Sequence, residues 1–275
     1  MFYKCLRLKK QFIPLLILAM GFVMVSCNNA PEEPATVAGY TSLQDLEGHT
    51  VAVISGSTSD VLLSDTNNFS NIKLIRCASP SEIIAAIKND SADCGITDTV
   101  VLMTVDMGKC GLAIDFNLPG GFDVAAAFNL GDEKLQRSFN EFLVQIKSDG
   151  TLEEMFERWC SHRVDTVRIP DMPELAELKG HPIEVATLAD NPPFSFYQEN
   201  VWTGLEVELV MRFSLFVGRP VHFSGYRFDE VIDILSSDKA DMAVSNLFVT
   251  PDRSDQVLFS TPYYLCKTSC FSKAR

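Results

Sequence analysis

Three positions in this chain carry side chains suited to holding a small ionic molecule. Asp98 and Asn246 each follow an apolar, strand-like run, and Arg253 lies in the segment Thr250-Pro251-Asp252-Arg253. A carboxylate accepts hydrogen bonds from an ammonium group, whereas a planar guanidinium suits a carboxylate. Opposite charges of this kind fit the two ends of an amino acid and would be poorly used by a neutral sugar.

A fourth candidate is the turn Gly56-Ser57-Thr58. It precedes a predicted helix, where backbone N–H groups can face an anion. Thr58 could add a hydroxyl group.

Catalytic and metal-binding patterns are weak. The four histidines, His49, His162, His181 and His222, are scattered, and no Ser/His/Asp or Cys/His constellation stands out. No CxxC or Cys/His spacing suggests zinc. We therefore expect no metal, no cofactor and no enzymatic activity.

An internal echo predicts the elements that position these residues. SEIIAAIKNDSADCGITD at 81–98 matches DEVIDILSSDKADMAVSN at 229–246, and LEGHTVAV from Leu46 matches LKGHPIEV from Leu178. Each copy reads as strand, loop, amphipathic helix and short strand, which implies a parallel sheet. Two copies predict an α/β protein with two similar lobes, and ligands in such sheets lie beyond the carboxyl ends of strands.

The first 26 residues resemble an export signal, with a basic start and an apolar run too short for an ordinary membrane span. Val25-Ser26-Cys27 resembles a bacterial lipobox, which predicts lipidation of Cys27. A plain secretory signal or an uncleaved anchor is the alternative. The polar residues 27–40 suit a flexible tether.

Charge argues against nucleic acid as a partner. Without residues 1–26 the chain keeps 19 basic and 36 acidic residues, a net charge of −17, whereas phosphate contacts need basic clusters. About 235 residues beyond the tether suffice for two small lobes.

Six cysteines remain once Cys5 and Cys27 are set aside. Cys266 and Cys270 are a weak disulfide candidate because a strand would hold them apart. Buried free thiols are the expectation.

The remaining pattern predicts a hinge at Gly120-Gly121, a linker at about 162–180 and several long elements. These are helices at Leu135–Ile146, Thr151–Trp159, Leu205–Val217 and Asp229–Leu235, and a final strand at Leu265–Ser272.

Several segments together resemble one family. They are PPFSF at 192–196, WTGLEVELV at 202–210, FDEVIDILSSDKADMAVSNLFVTPDRSDQVLFSTPYY at 228–264, LEGHTVAVISGSTSD at 46–60 and SDGTLEEMFERW at 148–159. As a set they are similar to the extracytoplasmic solute-binding proteins of polar amino-acid ABC importers, family 3. The resemblance covers nearly all of residues 41–275. It implies a two-lobed periplasmic-binding-protein type II fold with a cleft between the lobes, and an ABC permease as a partner.

The order of the segments departs from the family. The block at 183–264 comes first in the family and last here, which reads as a circular permutation joined by the linker. The expected lobes are 41–119, to which 268–275 returns, and 120–267. The alternative is a piece of a tandem array whose halves pair with neighbours.

The resemblance also implies roles for individual residues. Asp98 matches the residue that binds the α-amino group, and Arg253, braced by Thr250, matches the arginine that binds the carboxylate. Phe228 and Phe194 are candidate walls, although Phe194 suits a core position equally well. Asn246 and Phe248 stand where the family commonly has Gly and Thr.

Asn191 and Leu188 also depart from the family, which commonly has an aromatic residue and an Asp at these places. A standard polar amino acid is therefore in doubt as the ligand. The leading interpretation remains a lipid-anchored receptor on the periplasmic side of the cell envelope, for uptake or sensing. The alternatives are an enzyme on the same fold, such as a dehydratase or a lytic-transglycosylase-associated lobe pair, and a ligand-free scaffold.

Overall fold

The computed structural model describes residues 39–160 and 164–274. The predicted signal peptide at 1–26, the lipidation site Cys27 and nearly all of the tether lie outside these residues.

The first lobe is built on a five-stranded sheet with the order β2-β1-β3-β15-β4. Strands β1, β2 and β3 are parallel, whereas β15 runs antiparallel between β3 and β4. The elements in chain order are β1 (Thr50–Ile54), α1 (Thr58–Leu63), β2 (Lys73–Cys77), α2 (Pro80–Lys88), β3 (Cys94–Asp98), α3 (Thr99–Met103), α4 (Met107–Cys110) and β4 (Leu112–Asn117).

The chain then leaves this sheet through β5 (Phe122–Val124) and β6 (Ala127–Phe128). Two helices follow, α5 (Glu133–Ser148) and α6 (Thr151–Cys160). In the described part of the linker, from residue 164 onward, the helical elements are two short 3-10 helices, at Val164–Thr166 and Pro173–Glu177.

The second lobe is built on a sheet with the order β11-β7-β12-β6-β13. A separate three-stranded sheet, β10-β9-β8, lies beside it. The remaining elements are β7 (Ile183–Thr187), β8 (Asp190–Asn191), β9 (Ser195–Gln198), β10 (Val201–Thr203), α7 (Leu205–Val217), β11 (Val221–Gly225), α8 (Val231–Ser236), β12 (Met242–Ala243), α9 (Pro251–Ser254), β13 (Leu258–Phe259), β14 (Tyr264–Cys266) and β15 (Thr268–Lys273).

Helices cover both faces of each central sheet. In β1, Val51 and Val53 belong to one buried apolar cluster and Ala52 to another. In β7, Val185 and Ala186 likewise belong to different clusters. Parallel strands buried on both faces are typical of α/β folds, so the expected α/β fold with two lobes is confirmed.

The echoed aspartates have the same structural task in both copies. The side chain of Asp93 accepts a hydrogen bond from the backbone N–H of Thr50 at 2.7 Å, and that of Asp241 accepts one from Glu184 at 3.0 Å. Asp90 and Asp238 both have a left-handed backbone, with φ of 58° and 56°. Asp tolerates this conformation. The repeated sequence therefore specifies the same connection between a helix and the following strand in both lobes.

The predicted strand Leu265–Ser272 is wrong as a single element. It divides at Lys267 into β14, which pairs with β5, and β15, which enters the first sheet. The division follows from where the partners lie, since β5 connects the two lobes whereas β3 and β4 belong to the first. The two segments that connect the lobes, β5 and β14, therefore form an antiparallel pair.

All six cysteines among the described residues are free, and Cys266 and Cys270 belong to different apolar clusters. The preference for free thiols over a Cys266–Cys270 disulfide thus agrees with the structure. No helix within 39–160 and 164–274 has the length and apolar character needed to cross a membrane.

Candidate functional site

A cavity of about 50 Å³ lies where the carboxyl ends of β3 and β12 face each other across the two lobes. Of the predicted site residues, Ser57, Thr58, Asp98, Phe228, Asn246 and Arg253 line it. Leu188, Asn191 and Phe248, the departures from the family pattern, line it as well. The structure thus gathers both the expected ionic groups and the unusual residues around one space.

Asp98 occupies the position before helix α3, yet its side chain makes no capping hydrogen bond. Its Oδ2 accepts instead from Nδ2 of Asn246 in the opposite lobe, at 2.5 Å. Burial, which removes the hydration of the charged form, is the main cause that raises the pKa of Asp98 to about 7.

Behind Asn246 lies a second buried carboxyl group, that of Glu206 in the first turn of α7. It accepts hydrogen bonds from the backbone N–H of Asn246, at 2.9 and 3.0 Å to its two oxygens, and from the Tyr263 hydroxyl at 2.5 Å. Burial is the main cause that raises the pKa of Glu206 to about 7. The sequence interpretation missed this residue, although a Glu within the apolar run LEVELV is the signal that marks it.

Arg253 lies in α9, whose first turn is capped by the hydroxyl of Thr250. Its guanidinium group donates to the carbonyl oxygen of Phe248 at 3.0 Å and, across the lobes, to that of Gly56 at 3.2 Å. It also stacks over the Phe228 ring, with its central carbon 5.1 Å from the ring centroid. Burial lowers the pKa of Arg253. Because two of the five N–H donors meet these carbonyl groups, the rest of the fork is left for other acceptors.

The turn at Gly56-Ser57-Thr58 differs from the expected anion cradle. The N–H of Gly56 donates to the Asp60 side chain at 3.0 Å, and that of Ser57 donates to the Ile54 carbonyl at 3.1 Å. The Ser57 hydroxyl caps α1 by accepting from Asp60. These groups are used within the turn because the chain must close it before the helix begins, so Ser57 and Thr58 contribute as lining side chains.

Three predicted residues, Gly56, Phe194 and Thr250, are not among those that line the cavity. Phe194 has no exposed surface and packs with Trp159 and Leu205 in an apolar cluster, so its core interpretation holds and its role as a wall is wrong. Thr250 acts through the cap of α9 and does not line the space.

The two lobes meet through further polar contacts around the cavity. Ser55 donates to Asp229 at 2.8 Å, and Ser81 donates to Asp190 at 3.0 Å. Residues 54, 59, 80, 96, 97 and 268 complete the first lobe's wall. Within the described parts of the chain, no group of three or more His, Cys, Asp or Glu side chains is placed to hold a metal ion.

This arrangement defines a class of protein: two α/β lobes joined by paired crossings, with ionic groups from both lobes around one cavity. Comparison of sequences adds a family match. Residues 183–275 match bacterial extracellular solute-binding proteins, family 3. Over this segment the chain is similar to that family, in agreement with the resemblance inferred from its motifs.

Individual relatives match over similar lengths. The chain is 35% identical over 83 residues to a putative ABC transporter arginine-binding protein 2 of Escherichia coli K12, which covers 30% of this chain and 34% of the relative. It is 32% identical over 85 residues to a probable histidine-binding protein of Campylobacter jejuni, covering 31% and 33%. The chain thus spans about a third of the length of these curated relatives.

Among solved structures, an ancestral arginine-binding protein bound to glutamine is 33% identical to the matched part. The match covers 31% of this chain and 39% of that one, with a TM-score of 0.30.

Proposed function

We propose that this protein binds a small extracytoplasmic solute, an amino acid or a related carboxylate, between its two lobes for ABC-type uptake or sensing. The observation that carries the proposal is the position of Arg253 and Asp98, which line one cavity from opposite lobes. The guanidinium group supplies the fork that a carboxylate needs. The family match and the names of the relatives support the same class of ligand.

Catalysis is the second candidate, because a carboxyl group with a pKa near 7 at a cavity can serve as a general acid or base. Binding is supported better. Asp98 and Arg253 are the ionisable residues that line the cavity, whereas Glu206 is fully buried behind it. Among residues 39–160 and 164–274, no second carboxyl, imidazole or amine group accompanies Asp98 on the cavity surface.

Thermal unfolding of the purified protein tests the proposal. Amino acids, small carboxylates and neutral sugars are added separately, and stabilisation by a carboxylate-bearing compound is expected. NMR spectra of the stabilising compound, taken over hours with the protein, then separate binding from turnover. Stabilisation by sugars alone, or by none of the compounds, would contradict the proposal.

We further propose that the chain is circularly permuted, with lobes formed by 41–119 plus 268–275 and by 120–267. Support comes from β15 within the first sheet and from a family match confined to 183–275. A gene that restores the family's usual order, with 183–275 placed before 41–160, should give a protein with the same ligand preference. Loss of folding in the reordered chain would favour the tandem-array alternative.

Lipidation of Cys27 is also proposed, on the Val25-Ser26-Cys27 junction and the polar residues that follow. Membrane fractionation of the wild type and of Cys27→Ala tests it. Release of the variant alone into the soluble fraction is expected, and equal release of both proteins would remove the anchor.

A further inference from the structure

The side chain of Asn246, from the second lobe, contacts Asp98 in the first lobe. It ends the second echoed strand with a left-handed backbone, φ 50°, and only 3% of it is exposed. Gly and Asn are the residues that most readily adopt this conformation. Gly would leave the space beside Asp98 open, whereas the Asn side chain fills it.

The carboxylate of Asp98 already accepts a hydrogen bond within the chain. The Asn246 amide N–H donates to its Oδ2 at 2.5 Å. An ammonium group would bring three further donors to the same oxygens and would face the NH₂ of Asn246, donor against donor. Binding an amine at Asp98 therefore requires the Asn246 contact to break.

The carbonyl oxygen of the same Asn246 amide, in contrast, lacks a donor among the described residues. The Oδ1 atom of Asn246 is buried and has no hydrogen-bond partner among the described residues. A buried acceptor without a partner is costly, and Asn246 lines the cavity. The site thus lacks a donor that approaches Asn246 Oδ1 from the cavity side.

We propose that Asn246 determines specificity, by excluding an α-ammonium group from Asp98 and selecting a 2-hydroxy acid. In this arrangement the ligand hydroxyl donates to Asn246 Oδ1, and the ligand carboxylate accepts from the free N–H groups of Arg253. A hydroxyl group is neutral, and its single O–H donor would pair with Asn246 Oδ1, the acceptor without a partner among the described residues. The inference rests on the proposed function, of which it specifies the ligand class.

Matched pairs of acids test the inference in calorimetry: glycolate and glycine, L-lactate and L-alanine, L-malate and L-aspartate, L-phenyllactate and L-phenylalanine. Each pair shares a skeleton and differs at the α-substituent. For the pair that fits the cavity, the wild type should bind the hydroxy acid at least about tenfold more tightly than the amino acid, as expected when one member leaves polar groups unpaired.

The variant Asn246→Gly should shift this ratio at least about tenfold toward the amino acid, because it frees Asp98 and removes the acceptor. Gly tolerates the positive φ, so the variant is expected to fold, and circular dichroism checks that it does. Asn200→Gly is the matched control, since Asn200 also has a left-handed backbone, φ 65°, and is not among the residues that line the cavity. Its ratio should stay within about threefold of the wild type.

Three results would overturn the inference, and one of them would also overturn the proposed function. A wild type that binds the amino acid as tightly as its hydroxy acid, or an Asn246→Gly variant with an unchanged ratio, removes the role of Asn246 and leaves the proposed function standing. Absence of binding by every acid in both series removes the proposed function as well.

Discussion

Asp98 and Glu206 are linked through a single residue, Asn246, whose side chain donates to the first carboxyl group and whose backbone N–H donates to the second. One acid belongs to the first lobe and the other to helix α7 of the second. Neither takes part in an ion pair among the described residues. The link between the lobes through Asn246 therefore joins two buried acids, which makes it sensitive to proton concentration.

We predict that the free energy of unfolding falls as the pH rises through about 7. Burial raises the pKa of both Asp98 and Glu206 to about 7, above their values in the unfolded chain. Between about pH 4 and pH 7 the folded protein binds more protons than the unfolded chain, so the stabilisation is complete at low pH, declines across this range and is fully lost just above pH 7. Between pH 6 and 8 the loss should be on the order of 1 kcal/mol for each group.

Urea unfolding at pH 6 and 8 measures this effect. The double variant Asp98→Asn/Glu206→Gln keeps the shapes and removes both titrations, so its two unfolding curves should differ less than those of the wild type. The other titratable groups near these acids, Cys266, Tyr263 and Tyr264, remain in both proteins. Equal pH dependence in the two proteins would show that neither acid titrates in this range.

Arg253→Ala should weaken binding of the carboxylate ligand by about 2 kcal/mol or more, because it removes a partly buried charge-assisted donor. Arg227→Ala is the control. Arg227 pairs with Asp229 at 3.0 Å and does not line the cavity, so its loss should change the affinity by less than about 1 kcal/mol. Calorimetry with the best ligand of the thermal screen compares the two. Equal losses would remove Arg253 from the site.

Local sequence patterns correctly predicted the features that are determined within a single segment of the chain. Helix α7 spans Leu205–Val217 as predicted, because its apolar run is bounded by Gly204 and Gly218. Strand β3 ends at Asp98 as predicted, since the echo fixed its register. Cavity-lining positions for Asp98, Asn246 and Arg253 followed from the same strand-end argument and from one short motif.

The structural features that could not be predicted from the sequence depend on contacts between distant segments. Nothing near Asp98 indicates that Asn246, 148 residues away, donates to it, because this contact exists only when the lobes meet. Phe194 was ambiguous for the same reason: its surroundings, Trp159 and Leu205, come from other elements. The division of the last strand at Lys267 depends on which sheet lies within reach of each half.

Glu208→Ala should destabilise the second lobe by about 2–4 kcal/mol, because it leaves two partly buried guanidinium groups and the buried Trp159 indole N–H without their acceptor. The fully buried carboxylate of Glu208 accepts from Arg158 at 2.6 Å, from Arg212 at 2.8 Å and from the Trp159 indole at 2.8 Å. The exposed pair Glu133–Arg137 offers the control, since Glu133→Ala should cost less than about 0.5 kcal/mol. Urea unfolding followed by tryptophan fluorescence compares them, and similar midpoints would contradict the buried triad.

Phe271→Ala should destabilise the first lobe by about 3–5 kcal/mol, because it opens a cavity in a closed core. Phe271 lies in β15, has no exposed surface and packs with Ile83 and Ile87 of α2. Leu265→Ala, six residues earlier and 60% exposed, should cost less than about 0.5 kcal/mol.

The position of β15 also predicts which signal changes in the Phe271 variant. Both tryptophans, Trp159 and Trp202, lie in α6 and β10, outside the first sheet. Loss of the first lobe should therefore lower the far-ultraviolet circular dichroism of Phe271→Ala at urea concentrations where tryptophan fluorescence has changed less. A Phe271→Ala protein no less stable than Leu265→Ala would mean that the last strand does not belong to the core of the first sheet.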